Sequence, residues 1–266
     1  MSLAKEQIEE LVRSVPCWYH SIDLGHGVVT PGGDSQSMLA LLRLPDLRGK
    51  SVLDIGAFDG YFSFTAERLG ARRVVALDHY VWSMDLAEHV RHYEECKRAG
   101  VAPAPYHTMP YWRPTDLPGK RGFDIAHRVL GSKVEAVVAD FMDMDLGGLG
   151  AFDVVLYLGV LYHMEDPLRA LRRVAAVTGE LAVVETAAVA LPGYEHAAVC
   201  EFYESSELNF DVSNWWAPNV KALEGLCRAA GFRRVEVIYR PEAAAHPPTR
   251  AGGEVIRGRA IAHAWK

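Results

Sequence analysis

The sequence predicts a doubly wound α/β fold, and three observations carry that expectation. Short apolar runs alternate with amphipathic stretches, the first run passes directly into a glycine-containing turn, and acidic residues close several of the runs. Taken in order, residues 2–14 read as an amphipathic helix that Pro16 ends. Residues 17–34 mix aromatics, glycine and proline and read as an ordered loop with one short central strand. A helix over 35–44 and a turn over 46–50 follow.

SVLDIG (51–56) is then the first buried strand, and YFSFTAERLG (61–70) a helix that stops at Gly70. RRVVALD (72–78), VEAVVAD (134–140), FDVVLYLG (152–159) and GELAVVET (179–186) are four further strands. Amphipathic PLRALRRVAAVT (167–178) joins the last two. A helix over 220–230 leads to VEVIYR (235–240) and RAIAHAW (259–265), which read as a closing antiparallel pair. Continuous apolar strands alternating with helices imply a sheet covered on both faces. The expectation is a Rossmann-like, seven-stranded sheet, mostly parallel with an antiparallel last strand, forming one domain over 1–266. Residues 1–49 should cover the cleft, and two long insertions, 80–133 and 187–219, should build the substrate side.

Composition narrows the function classes. A net charge of −6 and a pI near 6.0 do not suit a protein that binds nucleic acid or anionic membrane through bulk charge. Cys17, Cys96, Cys200 and Cys227 are scattered without a CxxC pair, which argues against a zinc site or disulfide framework and fits a reducing compartment. The N-terminus lacks the cationic start and apolar core of a signal peptide, and no stretch reaches the roughly 18–20 apolar residues of a membrane span. A cytoplasmic location is the expectation.

The chemistry concentrates at strand ends. In Val52-Leu53-Asp54-Ile55-Gly56-Ala57-Phe58-Asp59-Gly60 a strand runs into a turn where Gly56, Ala57 and Gly60 offer nearly bare backbone to a ligand. The Gly-x-x-x-Gly spacing is not the dinucleotide fingerprint. Asp54 beside it would repel a pyrophosphate but would suit an ammonium group, so an adenosyl-amino acid is favoured over NAD. Asp78, followed by His79, closes the second strand where a carboxylate can accept ribose hydroxyls. Asp140 and Phe141 close the third, positioned for an adenine amino group and ring face. Leu158 and Tyr162 follow the fourth strand. Any one acid alone could be a helix cap or a surface residue; three on consecutive strands form a pattern.

With these residues in view, the chain over about 50–240 resembles the class I S-adenosylmethionine-dependent methyltransferase superfamily. More narrowly, WYHSIDLGHGVVTPG (18–32), GVLYHMEDPLRAL (159–171) and NWWAPN (214–219) resemble the group related to tRNA wobble-uridine (mo5U34) methyltransferases. The resemblance implies S-adenosyl-L-methionine as cofactor. The tRNA enzyme of that group transfers a carboxymethyl group, holding the extra carboxylate with a lysine, a tyrosine and an arginine. Tyr162 matches the tyrosine and Arg259 the arginine, but no lysine lies between Glu6 and Lys50. The missing cation removes a charge-assisted partner for that carboxylate, so methyl transfer to an oxygen or nitrogen of a small molecule is expected, with tRNA modification as the alternative.

Methyl transfer is an in-line displacement that needs alignment and exclusion of water. Tyr162 is expected to contact cofactor or substrate. His163 has the intrinsic pKa of a general base, although its ring could equally order the turn through backbone hydrogen bonds. Trp18, His20, Trp112, Trp215 and Trp216 are candidates for lining an acceptor pocket, with core packing under long loops as the competing reading. His107, His127 and His196 show no ligand spacing, so no metal is expected. Lys120, Arg121, Arg128 and Lys133 form a basic cluster that suits a solvated helix face or an anionic substrate group.

Overall fold

The computed structural model describes residues 3–241 and 255–266. The chain divides into two compact units, Met1–Met144 and Asp145–Lys266.

In the first unit, strand β1 (Ser51–Ile55) is buried along its whole length and pairs in parallel with β2 (Arg73–Asp78), with Leu53 opposite Val75. β2 pairs in parallel with β3 (Glu135–Val138), giving the order β3-β2-β1. Helices α1 (Lys5–Arg13) and α2 (Ser35–Leu42) precede the sheet. α1 buries Ile8 and Val12, one apolar stripe, while Asp34 caps α2 by accepting from the N–H groups of Gln36 and Ser37. Helix α3 (Tyr61–Arg68) makes the crossover from β1 to β2. In the first insertion lie α4 (Leu86–Ala99), capped by Asp85, and α5 (Arg121–Leu130).

In the second unit, β4 (Phe152–Leu158) pairs in parallel with β5 (Thr178–Ala190), and α6 (Pro167–Val177) crosses between them. Asp166 caps α6 and Pro167 occupies its first turn, where a missing N–H costs nothing. A short antiparallel ribbon of β6 (Cys200–Phe202) and β7 (Trp216–Pro218) lies in the second insertion. Then come α7 (Val220–Ala229), β8 (Arg234–Tyr239) and β9 (Ile256–Trp265). β9 runs antiparallel to both β5 and β8, giving the order β4-β5-β9-β8. Among the described residues these seven strands, three in the first unit and four in the second, have the mostly parallel α/β character that the sequence predicts, with the last strand antiparallel.

Three local expectations change. The expected strand centred in residues 17–34 is reduced to isolated bridges, Asp23 with Val29 and His20 with Gly33, because Gly25, His26 and Gly27 all take positive φ and turn the chain at once. β5 continues through Ala187–Ala190 into what reads as insertion, since that segment is still apolar and pairs with Ile256–Arg259 of β9. β3 is exposed along much of its length, Val138 included, because it ends the ladder of its unit.

Candidate functional site

The glycine turn in the first unit is stapled to the end of β2. Gly56, at φ 80°, donates its N–H to the Leu77 carbonyl at 2.8 Å, and the Ala57 N–H reaches the same oxygen at 3.2 Å. Asp78 accepts from the N–H groups of Phe58 and Val81, each at 3.0 Å. The Trp82 indole N–H donates to the Phe58 carbonyl at 2.6 Å, which holds the turn from the far side. Asp54 lies beneath the turn and accepts from the Ser63 hydroxyl at 2.6 Å.

Asp54 and Asp78 are both buried, at 2% and 3% exposure, and their named donors are neutral. Burial raises each carboxyl to about 6. For Asp54 the Ser63 hydrogen bond and the nearby His20 work against that rise, while Asp78 adds to it. For Asp78 the backbone N–H groups of Phe58, Val81 and Trp82 hold the value down. An ammonium or hydroxyl donor beside either carboxyl would favour its charged form.

The turn's own acid, Asp59, was given no role by sequence reasoning, and it organises the approach to this site. One oxygen accepts from the N–H groups of Tyr19 at 2.9 Å and His20 at 2.8 Å, and the other pairs with the His20 ring. The His20 ring also stacks on Tyr61 at 5.4 Å. His20 is therefore tied to the glycine turn, near Asp54. Asp59→Ala would leave two backbone donors and an imidazole without this acceptor, at about 1–3 kcal/mol for each uncompensated buried donor. The expected outcome is a lower melting temperature, with residues 18–33 becoming sensitive to protease before the rest of the chain. A melting curve and digestion pattern like those of the wild type would refute the clamp.

Several other predicted residues take different positions. Gly60, at φ 87°, is closed to a ligand in the direction of its missing Cβ: a carbon there would lie 2.5 Å from the Phe64 ring and 2.7 Å from Phe123. Packing against these two rings therefore requires a glycine there. Trp18 is also a core residue, 7% exposed, with its indole N–H on the Val12 carbonyl at 3.1 Å and its ring edge against Gly122. Asp140 is exposed in the turn after β3, two residues past its end, and accepts from the Met142 N–H at 2.8 Å, while Phe141 is buried. The ladder releases the chain at Val138, so Asp140 caps its own turn. Trp112 does come back towards β2: it meets the His79 ring edge-on at 5.4 Å and packs with Tyr80 and Tyr106. His127 Nε2 donates to the Val134 carbonyl at 3.0 Å beside Phe123, and among the described residues no three metal-ligating side chains cluster.

In the second unit, β4 ends at Leu158 and Gly159 turns the chain at φ 72°, its N–H on the Glu185 carbonyl at 3.0 Å. A single tight turn, Leu161–His163, then presents Tyr162 and His163. The Arg259 guanidinium lies 4.8 Å from the centre of the Tyr162 ring and is bound through both Nε and Nη2 by Glu185, the second contact at 2.5 Å. Burial disfavours the guanidinium charge, but the Glu185 bonds and charge outweigh it and hold the group above its ordinary value. Glu185 escaped sequence reasoning, although a lone acid within the apolar run VVETAAVA was a legible signal. His163 Nδ1 lies 2.8 Å from the Ser213 hydroxyl, and burial lowers its pKa. Trp215 donates its N–H to the Tyr162 carbonyl at 2.8 Å. Trp216 and Tyr162, with Leu161, Cys200 and Pro218, line an apolar cavity of about 130 Å³.

A family model described as "Methyltransferase domain" matches residues 36–237. The tRNA U34 carboxymethyltransferase of Campylobacter hominis is 26% identical over 194 residues, covering 73% of this chain and 54% of its own length. That of Pseudomonas syringae pv. tomato is 27% identical over 197 residues, covering 73% and 48%. The chain therefore spans about half the length of the curated relatives it matches. Among solved structures, the N-terminal domain of EvdMO1 with SAH bound is 18% identical with a TM-score of 0.59, covering 100% of this chain and 98% of that one. That likeness extends to the fold.

Proposed function

Because the chain belongs to the methyltransferase-domain family, we propose that it transfers a methyl group from S-adenosylmethionine to an oxygen or nitrogen of a small-molecule acceptor. The observation that carries this reading is the pair of buried carboxyls at the ends of β1 and β2, joined through the glycine turn by the Phe58 N–H. Asp54 suits the ammonium group of an adenosyl-amino acid, Asp78 its ribose hydroxyls, and the turn at Gly56 and Ala57 its close approach. His79 and Leu158 are further proposed cofactor contacts. The cofactor supplies an electrophilic methyl on a sulfonium. Tyr162 contributes an aromatic face, Trp216 lines an apolar acceptor contact, and His163 accepts the acceptor's proton.

The curated relatives are named for tRNA carboxymethylation, which supports a second reading. Two features favour plain methyl transfer. No lysine occurs between Glu6 and Lys50, and Arg259 already has its charge matched by both oxygens of Glu185. An additional carboxylate would meet a guanidinium whose charge the 4%-exposed Glu185 already offsets, with no lysine from residues 7–49 to add a second cation.

Calorimetry tests the reading through its pH dependence. Both carboxyls titrate near 6 without ligand, and an ammonium or hydroxyl donor favours their charged forms. Affinity for S-adenosylmethionine is thus full above pH 6 and falls as pH drops below it, by about tenfold per pH unit for each carboxylate that must ionise. Proton release on binding near pH 6 is the accompanying sign. Absence of binding by either S-adenosylmethionine or S-adenosylhomocysteine would overturn the proposal. A carboxy-S-adenosylmethionine mass in the purified protein, with salt-sensitive tRNA binding, would transfer support to the second reading.

A further inference from the structure

His163 is met by a loop of the second insertion whose polar groups are arranged in series. Its Nδ1 lies 2.8 Å from the Ser213 hydroxyl oxygen and 3.3 Å from the Ser213 carbonyl. The Ser213 hydroxyl lies 2.7 Å from Asp211 Oδ1, which also receives the Ser213 N–H at 2.9 Å. The proton positions follow from the donor inventory. A carboxylate can only accept, so the single hydroxyl proton of Ser213 points to Asp211, and the hydroxyl turns a lone pair towards His163. Two acceptors, hydroxyl and carbonyl oxygen, then face Nδ1. Only an Nδ1–H satisfies them.

The loop is built to keep this order. Asn209 and Phe210, immediately before Asp211, take left-handed φ values of 57° and 59°, a conformation that non-glycine residues adopt at a cost. Asn214, 1% exposed, ties the loop back through its amide to the Leu208 carbonyl at 2.7 Å. The Trp215 N–H bonds the Tyr162 carbonyl, so the loop is registered on the turn that carries His163.

We propose that Asp211 and Ser213 are positioning residues that hold His163 as its Nδ1–H tautomer, making Nε2 the nitrogen that takes the acceptor's proton. This rests on the reading of His163 as the base. In the transfer the acceptor's heteroatom forms its new bond to the methyl carbon as the C–S electron pair returns to sulfur. The proton displaced from the heteroatom passes to Nε2 and later to solvent. Asp211 stabilises the resulting imidazolium through Ser213, while Arg259, on β9, opposes it. Burial keeps the ring neutral beforehand. A misoriented tautomer is the costly failure for such a base.

The test is nitrogen NMR of the full chain labelled in its histidine rings, for wild type, Ser213→Ala, Asp211→Asn and His163→Gln, together with turnover of S-adenosylmethionine to S-adenosylhomocysteine on a panel of phenols, sugars and amines. The expected result is an Nδ1–H ring in the wild type at pH 7. Ser213→Ala should lose population from that tautomer and lower kcat at least about tenfold without raising KM for S-adenosylmethionine. Asp211→Asn should lower the His163 pKa. A wild-type proton on Nε2, or a Ser213→Ala chain unchanged in tautomer and kcat, would overturn the relay. An Nδ1–H ring with a fully active His163→Gln chain would instead overturn the base reading, showing the series to be structural.

Discussion

Gly60→Ala is expected to lose about 2–5 kcal/mol of folding stability, the sum of a left-handed backbone strain and an overpacked core. The new methyl would sit 2.5 Å from Phe64 and 2.7 Å from Phe123. Those rings cannot swing aside easily, because they stack on one another at 5.2 Å and are 6% and 1% exposed. Gly131→Ala is the control: its φ is also positive, at 59°, but nothing lies within 4 Å of the added carbon. It should lose only the backbone contribution, about 1–2 kcal/mol. Chemical denaturation of both variants separates the two terms. Equal losses would show that the rings yield and that Gly60 is held by φ alone.

His163→Gln should lower kcat by about 10²–10⁴-fold, the usual contribution of a positioned base, while S-adenosylmethionine affinity stays near that of the wild type. The Trp215 N–H still bonds the Tyr162 carbonyl, so the turn Leu161–His163 keeps its anchor in the variant. That choice makes the variant informative. A fall in kcat with unchanged affinity assigns the ring to proton transfer, and wild-type turnover leaves it as a turn-ordering group. Calorimetry alongside a turnover assay on the same acceptor panel reads both quantities.

Much of this was legible in one dimension. The strand into Gly56, the helix after Gly60, the acid closing β2 and the antiparallel pair β8–β9 all follow from apolar periodicity and turn chemistry, which act over a few residues. The departures share a cause. Asp59 and the His20 ring are 39 residues apart, and Glu185 and Arg259 are 74 apart. No local pattern marks either pair. Trp18 illustrates the same limit from the other side: an aromatic in an irregular segment reads equally as pocket wall or core, and it is the bond from its indole to Val12 and its 7% exposure that place it in the core. Asp140 reads as the end of a strand because VEAVVAD is apolar from Ala136 up to it, whereas the ladder releases the chain at Val138.

The sequence alone determined the succession of strands and helices, the reversed last strand and the glycine turn flanked by acids, because side-chain period and backbone freedom are properties of neighbours along the chain. Only the tertiary structure decided which polar groups spend their hydrogen bonds on the protein itself. Burial and distant partners set whether Arg259 is already matched by a carboxylate, which rings meet Gly60, and which oxygens face Nδ1 of His163.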